Sequence, residues 1–185
     1  MTECVSYLLS GPRAKQTPDM KTLDAVEVID RLGVEYLREL STFGALTEEV
    51  IVEMLQQGRI EQLEKGEYIA HFGEEAADFQ VVLQGTLAYY KRFEGHDVLT
   101  RYFRQGEQSG FDEMIGLIAR DGTDVAAEDS LILNISSTQF YKLHLEHPAE
   151  FGIFMMNLAR ELAREIEMLE DVIGKGTGWQ GEVAS

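Results

Sequence analysis

At 185 residues, 44% hydrophobic and 26% charged, the chain is long enough for one domain with a real core and has the make-up of a soluble globular protein. Its 16 basic against 33 acidic residues leave a formal charge of −17, a field that repels phosphate backbones and anionic bilayers and argues against DNA binding. The one cysteine, Cys4, excludes an intrachain disulfide and a Cys-rich zinc site.

The first 22 residues carry Pro12 and Pro18 and little periodicity, and read as a flexible arm. Their short apolar run follows an acid rather than basic residues, which makes a poor signal peptide. No stretch approaches the roughly eighteen apolar residues that a bilayer span needs, so the expectation is a cytoplasmic protein without membrane contact. From Asp24 the pattern turns helical, with Val26, Ile29, Leu32, Tyr36, Leu37 and Leu40 at three- and four-residue steps until Gly44 breaks it. Thr47 then reads as the N-cap of "EEVIVEMLQQ", with Gly58 as its stop.

After Gly58 the period changes to two. The runs "RIEQLEKG", "YIAHFG", "FQVVLQG", "TLAYYKRF", "VLTRYFRQG" and "SLILNIS" end mostly on Gly, Asn or Asp and are rich in β-branched and aromatic residues. Turns spaced roughly eight to twelve residues apart mark an antiparallel sandwich or barrel. "FEGHD" is the hairpin loop between two of these runs. Ser137 or Thr138 caps a short turn after the last strand. Pro148 opens the longest helix, which ends near Gly174, in keeping with proline at helix starts and glycine past helix ends. The expected organisation is an arm over 1–22, helices and β-roll over 23–147, the long helix over 148–174, and a flexible tail over 175–185. The fold class is mainly β: a jelly-roll sandwich flanked by N-terminal helices and one long C-terminal helix.

The order helices, strands, long helix resembles the cyclic-nucleotide-binding domain family, in its catabolite-activator and Fnr-like branch, over roughly residues 40–173. The most specific stretch is "KGEYIAHFGEEAADFQVVLQGTLAYY", with a strand after Gly66 and Glu67, a turn at Phe72 and Gly73, and the strand-and-glycine signature from Phe79 to Gly85. "FRQGEQSGF" looks like the approach to that family's phosphate-binding cassette.

The resemblance implies a short helix whose N-terminal amides face the ligand. It also implies a Gly-Glu pair whose carboxylate holds the ribose 2′-hydroxyl, and an arginine about nine residues on that pairs with the cyclic phosphate. A helix N-terminus offers unpaired N–H groups and partial positive charge, and a guanidinium adds a two-pronged cation. In this register the glycine is Gly110, the glutamate is replaced by Phe111, and the arginine is Arg120, followed by Asp121. Phe111 is either part of the site or a core ring plugging it. Two substitutes could restore the site: Asp112 or Glu113 turning inward to take the ribose, or Asp121 pointing outward. The resemblance further places Glu165 where relatives touch the base, and a carboxylate there accepts from an exocyclic amino group. The implied ligand is cAMP, cGMP or a related nucleotide, with no other cofactor.

Phe151, Met155, Leu158, Leu162, Ile166, Leu169 and Ile173 form an apolar seam suited to a parallel dimer helix. Relatives of this branch continue into a helix-turn-helix, for which the residues after the long helix are too few, so a homodimeric sensor without DNA contact and with an unknown protein partner is expected. His71, His96, His144 and His147 lack the paired spacing of a cupin metal site, and no nucleophile elbow, paired-carboxylate motif or P-loop is present, so neither metal binding nor catalysis is expected. The competing expectation is a degenerate roll that no longer binds nucleotide and acts as a protein–protein interaction module.

Overall fold

The computed structural model describes residues 20–177, with side chains through residue 175. Cys4, nearly all of the arm over 1–22 and the tail beyond 177 therefore lie outside the described residues. The chain runs β1 (Lys21–Leu23), α1 (Ala25–Leu32), α2 (Val34–Glu39), a 3-10 turn (Ser41–Phe43), α3 (Glu48–Gln57), β2 (Arg59–Leu63), β3 (Tyr68–Ala70), β4 (Asp78–Gln84), β5 (Thr86–Phe93) and β6 (His96–Arg104). It continues with β7 (Gln108–Ser109), α4 (Phe111–Gly116), β8 (Gly122–Ala126), β9 (Ser130–Ser136), α5 (Ser137–Glu146) and α6 (Pro148–Thr177). Every strand pairing is antiparallel: one sheet is ordered β1-β2-β9-β4-β7 and the other β3-β8-β5-β6. This is the jelly-roll sandwich flanked by helices.

The five-stranded sheet is covered on both faces. Phe79, Val81 and Leu83 of β4 and Leu131, Leu133 and Ile135 of β9 face the helices, where Leu37, Phe43, Ile51, Phe140, Phe154 and Leu158 complete a dry core. Val82 and Ile132 point the other way and meet Leu63, Leu87, Phe103 and Ala126 inside the roll. Period-two alternation thus supplies two cores from one strand.

Several local readings shift. Gly33, at φ 82°, divides the first helix into α1 and α2, and Val26 is exposed while Val28 is fully buried. Thr47 stands at the N-cap of α3 without a side-chain cap bond; its N–H donates instead to Glu150 Oε2 at 3.0 Å. The cap of α5 is Ser136, whose hydroxyl oxygen accepts from Gln139 N–H at 3.1 Å, and the helix runs ten residues rather than one turn. Lys21–Leu23, at the end of the expected arm, pair with Gln62, Glu61 and Ile60 of β2. Helix α6 continues through Gly174 to Thr177. Its first half packs on the core through Phe154 and Leu158, whereas Ile166, Leu169, Val172 and Ile173 are exposed.

Candidate functional site

A cavity of about 340 Å³ opens between β5, β6, the 109–121 segment and the second half of α6. Its volume lies within the range of small-molecule pockets. Tyr89, Phe103, Met168 and Leu169 supply ring and aliphatic surface; Lys91 and Arg101 supply cations; Asp112, Glu113, Asp121 and Glu165 supply carboxylates. The β5–β6 register slips between Tyr89–Arg101 and Tyr90–Leu99, which leaves Thr100 unpaired beside the cavity. A bulge of this kind re-aims side chains, and Tyr89, Thr100, Arg101 and Phe103 all reach the cavity wall.

Gly110 is the N-cap of α4, at φ 81°. A Cβ there would lie 1.7 Å from Arg120 Nη1, so glycine is needed for both its left-handed backbone and the guanidinium packed against it. Phe111 begins α4 and is 1% exposed. Its ring turns away from the cavity into the dry core, with centroids 5.3 Å from Phe79 and 5.8 Å from Phe140. The ring is therefore core, as one expectation had it, yet it leaves the cavity open and is not among the residues that line it.

Arg120 does not line the cavity either. Its side chain is 3% exposed and faces inward, with Nη1 2.9 Å from Glu113 Oε2 and Nη2 2.8 Å from Asp78 Oδ1 and 2.6 Å from the Asp78 carbonyl. The backbone around it is pinned as well, since Arg120 N–H donates to the Glu74 carbonyl and Gly73 N–H to that of Arg120, both at 2.8 Å. Asp78 Oδ1 also accepts from Gln80, which donates to Asn134 Oδ1, which in turn donates to Glu61, paired with Arg59. Arg120 is thus one end of a polar chain through the sheet. A buried guanidinium already compensated by two acids has no reason to leave them for an incoming anion.

Glu113 turns inward, 3% exposed, and its carboxylate accepts from Arg120 and, at 3.0 Å, from Asp121 N–H. Burial pushes its carboxyl above the ordinary value, against the pull of Arg120. Asp121 lines the cavity and is held there by the Tyr89 hydroxyl and the Lys91 ammonium. Burial would raise its pKa, but Lys91 and Tyr89 draw it below the usual carboxylate range. Asp112 lines the cavity on α4, its pKa raised by partial burial of the carboxyl and by the charge of Glu165. Behind the wall, Ser109 donates at 2.9 Å to Asp124 Oδ2, while Asp124 Oδ1 is buried without a partner. Burial pushes that carboxyl up to about 7. Glu165, from α6, forms an ion pair with Arg101 across the mouth.

The sequence-derived residues Gly110, Asp112, Glu113, Asp121 and Glu165 therefore come together around one cavity, with Arg120 just behind it and Phe111 turned to the far side. Tyr89, Lys91 and Arg101 were missed, and Arg101 had one visible signal: a charge within the otherwise apolar run "VLTRYF". Among the described residues, Glu53, Glu146 and His147 also converge closely enough for a cation. Lys142, 3.3 Å from Glu146 and 3.9 Å from Glu53, already supplies the positive charge there.

Residues 60–147 match the family model described as the cyclic nucleotide-binding domain. That segment, just under half of the chain, resembles a cyclic nucleotide-binding domain. Domains of this family regulate rather than catalyse. Among curated proteins, cGMP-dependent protein kinase 2 of Homo sapiens is 28% identical over 98 residues, 52% of this chain and 13% of the kinase. The chain thus spans about an eighth of that relative. Among solved structures, a cyclic nucleotide-binding domain from Methylobacillus flagellatus superposes with a TM-score of 0.72 at 18% identity, over 90% of this chain and 93% of that one. The regulatory subunit of a cAMP-independent protein kinase A from Trypanosoma cruzi, bound to guanosine, gives 0.55 at 17% identity, over 74% of this chain and 51% of that one. Both likenesses are at the level of fold. The pocket is open, and its wall in front of Arg120 presents Glu113 and Asp121. No helix among the described residues is long and apolar enough to cross a membrane.

Proposed function

We propose that this domain is a regulatory sensor whose pocket takes an uncharged nucleoside in preference to a cyclic nucleotide, and that it signals through α6. The observation that carries this is the engagement of Arg120 by Glu113 and Asp78, which leaves carboxylates facing the cavity where a phosphate would sit. Two like charges about 4 Å apart repel by roughly 4 kcal/mol at an effective dielectric of 20, enough to reverse a preference for cAMP or cGMP. The same carboxylates are acceptors for ribose hydroxyls, while Phe103, Met168 and Leu169 offer surface to a base. The neighbour described as cAMP-independent and bound to guanosine is in keeping with such a ligand. Because Glu165, Met168 and Leu169 belong to α6, a ligand that fills the cavity touches the signalling helix directly.

Thermal melting with adenosine, guanosine, cAMP and cGMP tests the reading. A nucleoside at 100 times its dissociation constant stabilises by about 2.7 kcal/mol. Larger stabilisation by cAMP or cGMP overturns the nucleoside preference, and no shift with any of the four returns the domain to a partner-binding role.

The exposed apolar stripe Ile166, Leu169, Val172 and Ile173 favours a further element of the proposal, a homodimer through the second half of α6. Light scattering at tens of micromolar checks it: a dimer mass is expected, and a monomer mass removes it. A cytoplasmic protein that leaves DNA alone completes the reading, with the charge of −17 in its support.

A further inference from the structure

We propose that the cavity favours nucleosides whose 5′ position carries one positive charge, an ammonium or a sulfonium, over neutral ones. The inference rests on the nucleoside reading above and adds the charge of the ligand. The cavity wall is one cation short. Four carboxylates line it, those of Asp112, Glu113, Asp121 and Glu165. Three of them have a cation of their own: Glu113 lies 2.9 Å from Arg120, Asp121 meets Lys91, and Glu165 lies 2.5 Å from Arg101. Those three cations are thereby occupied. Asp112, the second residue of α4, has no Lys, Arg or His within ion-pair distance among the described residues. Backbone N–H groups at the start of α4 support its carboxylate, but the side-chain charges that act on it, from Glu165 and Asp121, both repel its own. One negative charge on the wall is left unmatched.

The imbalance reaches behind the wall. Asp124 is buried with its Oδ1 unpartnered, and Ser109, which lines the cavity, donates to its other oxygen. Burial is the main reason that its carboxyl keeps a proton. The charges of Glu113 and Asp112 add to this, against the Ser109 bond and Arg120. A cation at the wall relieves Asp112 and Asp124 together. A bare inorganic ion would leave Tyr89, Phe103, Met168 and Leu169 facing water. An organic cation suits the cavity better. Its apolar body covers that surface, and an ammonium brings three N–H donors to carboxylates that only accept. On the nucleoside reading, the 5′ group takes the place of the phosphate, beside Asp112 and Asp121, where a cyclic diester is repelled.

Isothermal titration calorimetry with adenosine, guanosine and their 5′-amino-5′-deoxy derivatives tests the charge. Within each pair an ammonium replaces a hydroxyl and the base is unchanged. Each amino derivative is expected to bind about tenfold tighter than its parent, with the advantage shrinking as salt is raised. Asp112→Asn removes the unmatched charge at nearly constant shape and should bring the ratio close to one. Asp112→Glu keeps the charge and should keep the preference, which a merely structural role for the side chain would not produce. Equal binding within each pair, or a preference unchanged in Asp112→Asn, overturns the cationic preference alone. Failure of all four to bind overturns the nucleoside reading with it.

Discussion

The two faces of the five-stranded sheet do different work. Toward the helices, β4 and β9 present Phe79, Val81, Leu83, Leu131, Leu133 and Ile135 to a wholly apolar core. Toward the roll interior the same strands carry, beside the apolar Val82 and Ile132, the polar Gln80 and Asn134, joined through Asp78 to Arg120 and Glu113, with Asp124 near by. The dry face tolerates no void; the polar face tolerates no unpaired charge. This is why an arginine that sequence register assigns to phosphate ends as part of the scaffold. Once Glu113 and Asp78 lie within 3 Å of it, the interior itself is the anion.

Breaking the dry face should cost most. Phe79→Ala deletes a fully buried ring that meets Phe111, Phe140 and Phe154, and should lower stability by about 3–5 kcal/mol in chemical denaturation. On the polar face, Arg120→Ala leaves Glu113 and Asp78 without their cation and should cost about 3 kcal/mol. If instead Arg120 were idle until ligand arrives, its removal would leave the free protein's stability unchanged and abolish binding. The pair Arg120→Met with Glu113→Leu should recover part of the loss, because the deeply buried carboxylate is then gone and only the partly exposed Asp78 is left without its cation.

The pH dependence sharpens the comparison further. Asp124 holds its proton to about pH 7 in the fold, whereas the unfolded chain releases it near the ordinary aspartate value of about 3.9. Its contribution is fully present below about pH 4, falls as pH rises, and is gone above about pH 7. Asp124→Asn should therefore flatten that decline and raise the melting temperature at pH 8 relative to wild type. Glu113 on α4 and Arg120 act on the same carboxyl with opposite signs, so the window should shift upward in Arg120→Ala. The smallest effect on the fold is expected from Ile173→Glu, on the exposed second half of α6. It should alter unfolding by less than about 0.5 kcal/mol but lower the mass seen by light scattering to that of a monomer.

Much of the architecture was legible because its signals are local. Glycine turns, β-branched runs, Thr47, Gly58 and Pro148 mark element edges within a few residues of themselves. The short strands β7 and β8 escaped because Gln108–Ser109 and "GTDVA" carry polar inward residues, Ser109 and Asp124, that bond each other across the roll. The direction of Phe111 was not legible from spacing alone. It depends on Phe79, 32 residues away, and on Phe140, 29 residues away, being ready to receive the ring. Asp78 is the clearest case: it lies 42 residues from Arg120 and only the β4 register brings it there. The cavity residues of β5 and β6 were missed for the same reason, since a bulge at Thr100 decides which side chains of an exposed edge strand turn inward.

Guanosine and cGMP differ only in the cyclic phosphate, so their dissociation constants, measured side by side by isothermal titration calorimetry on wild type and Arg120→Lys, bear most directly on the account. With the guanidinium already engaged inside the roll, guanosine should bind at least about tenfold tighter than cGMP. Tighter binding of cGMP, lost when the fork of Arg120 is replaced by a lysine, would show that the arginine turns outward to hold phosphate and would contradict it.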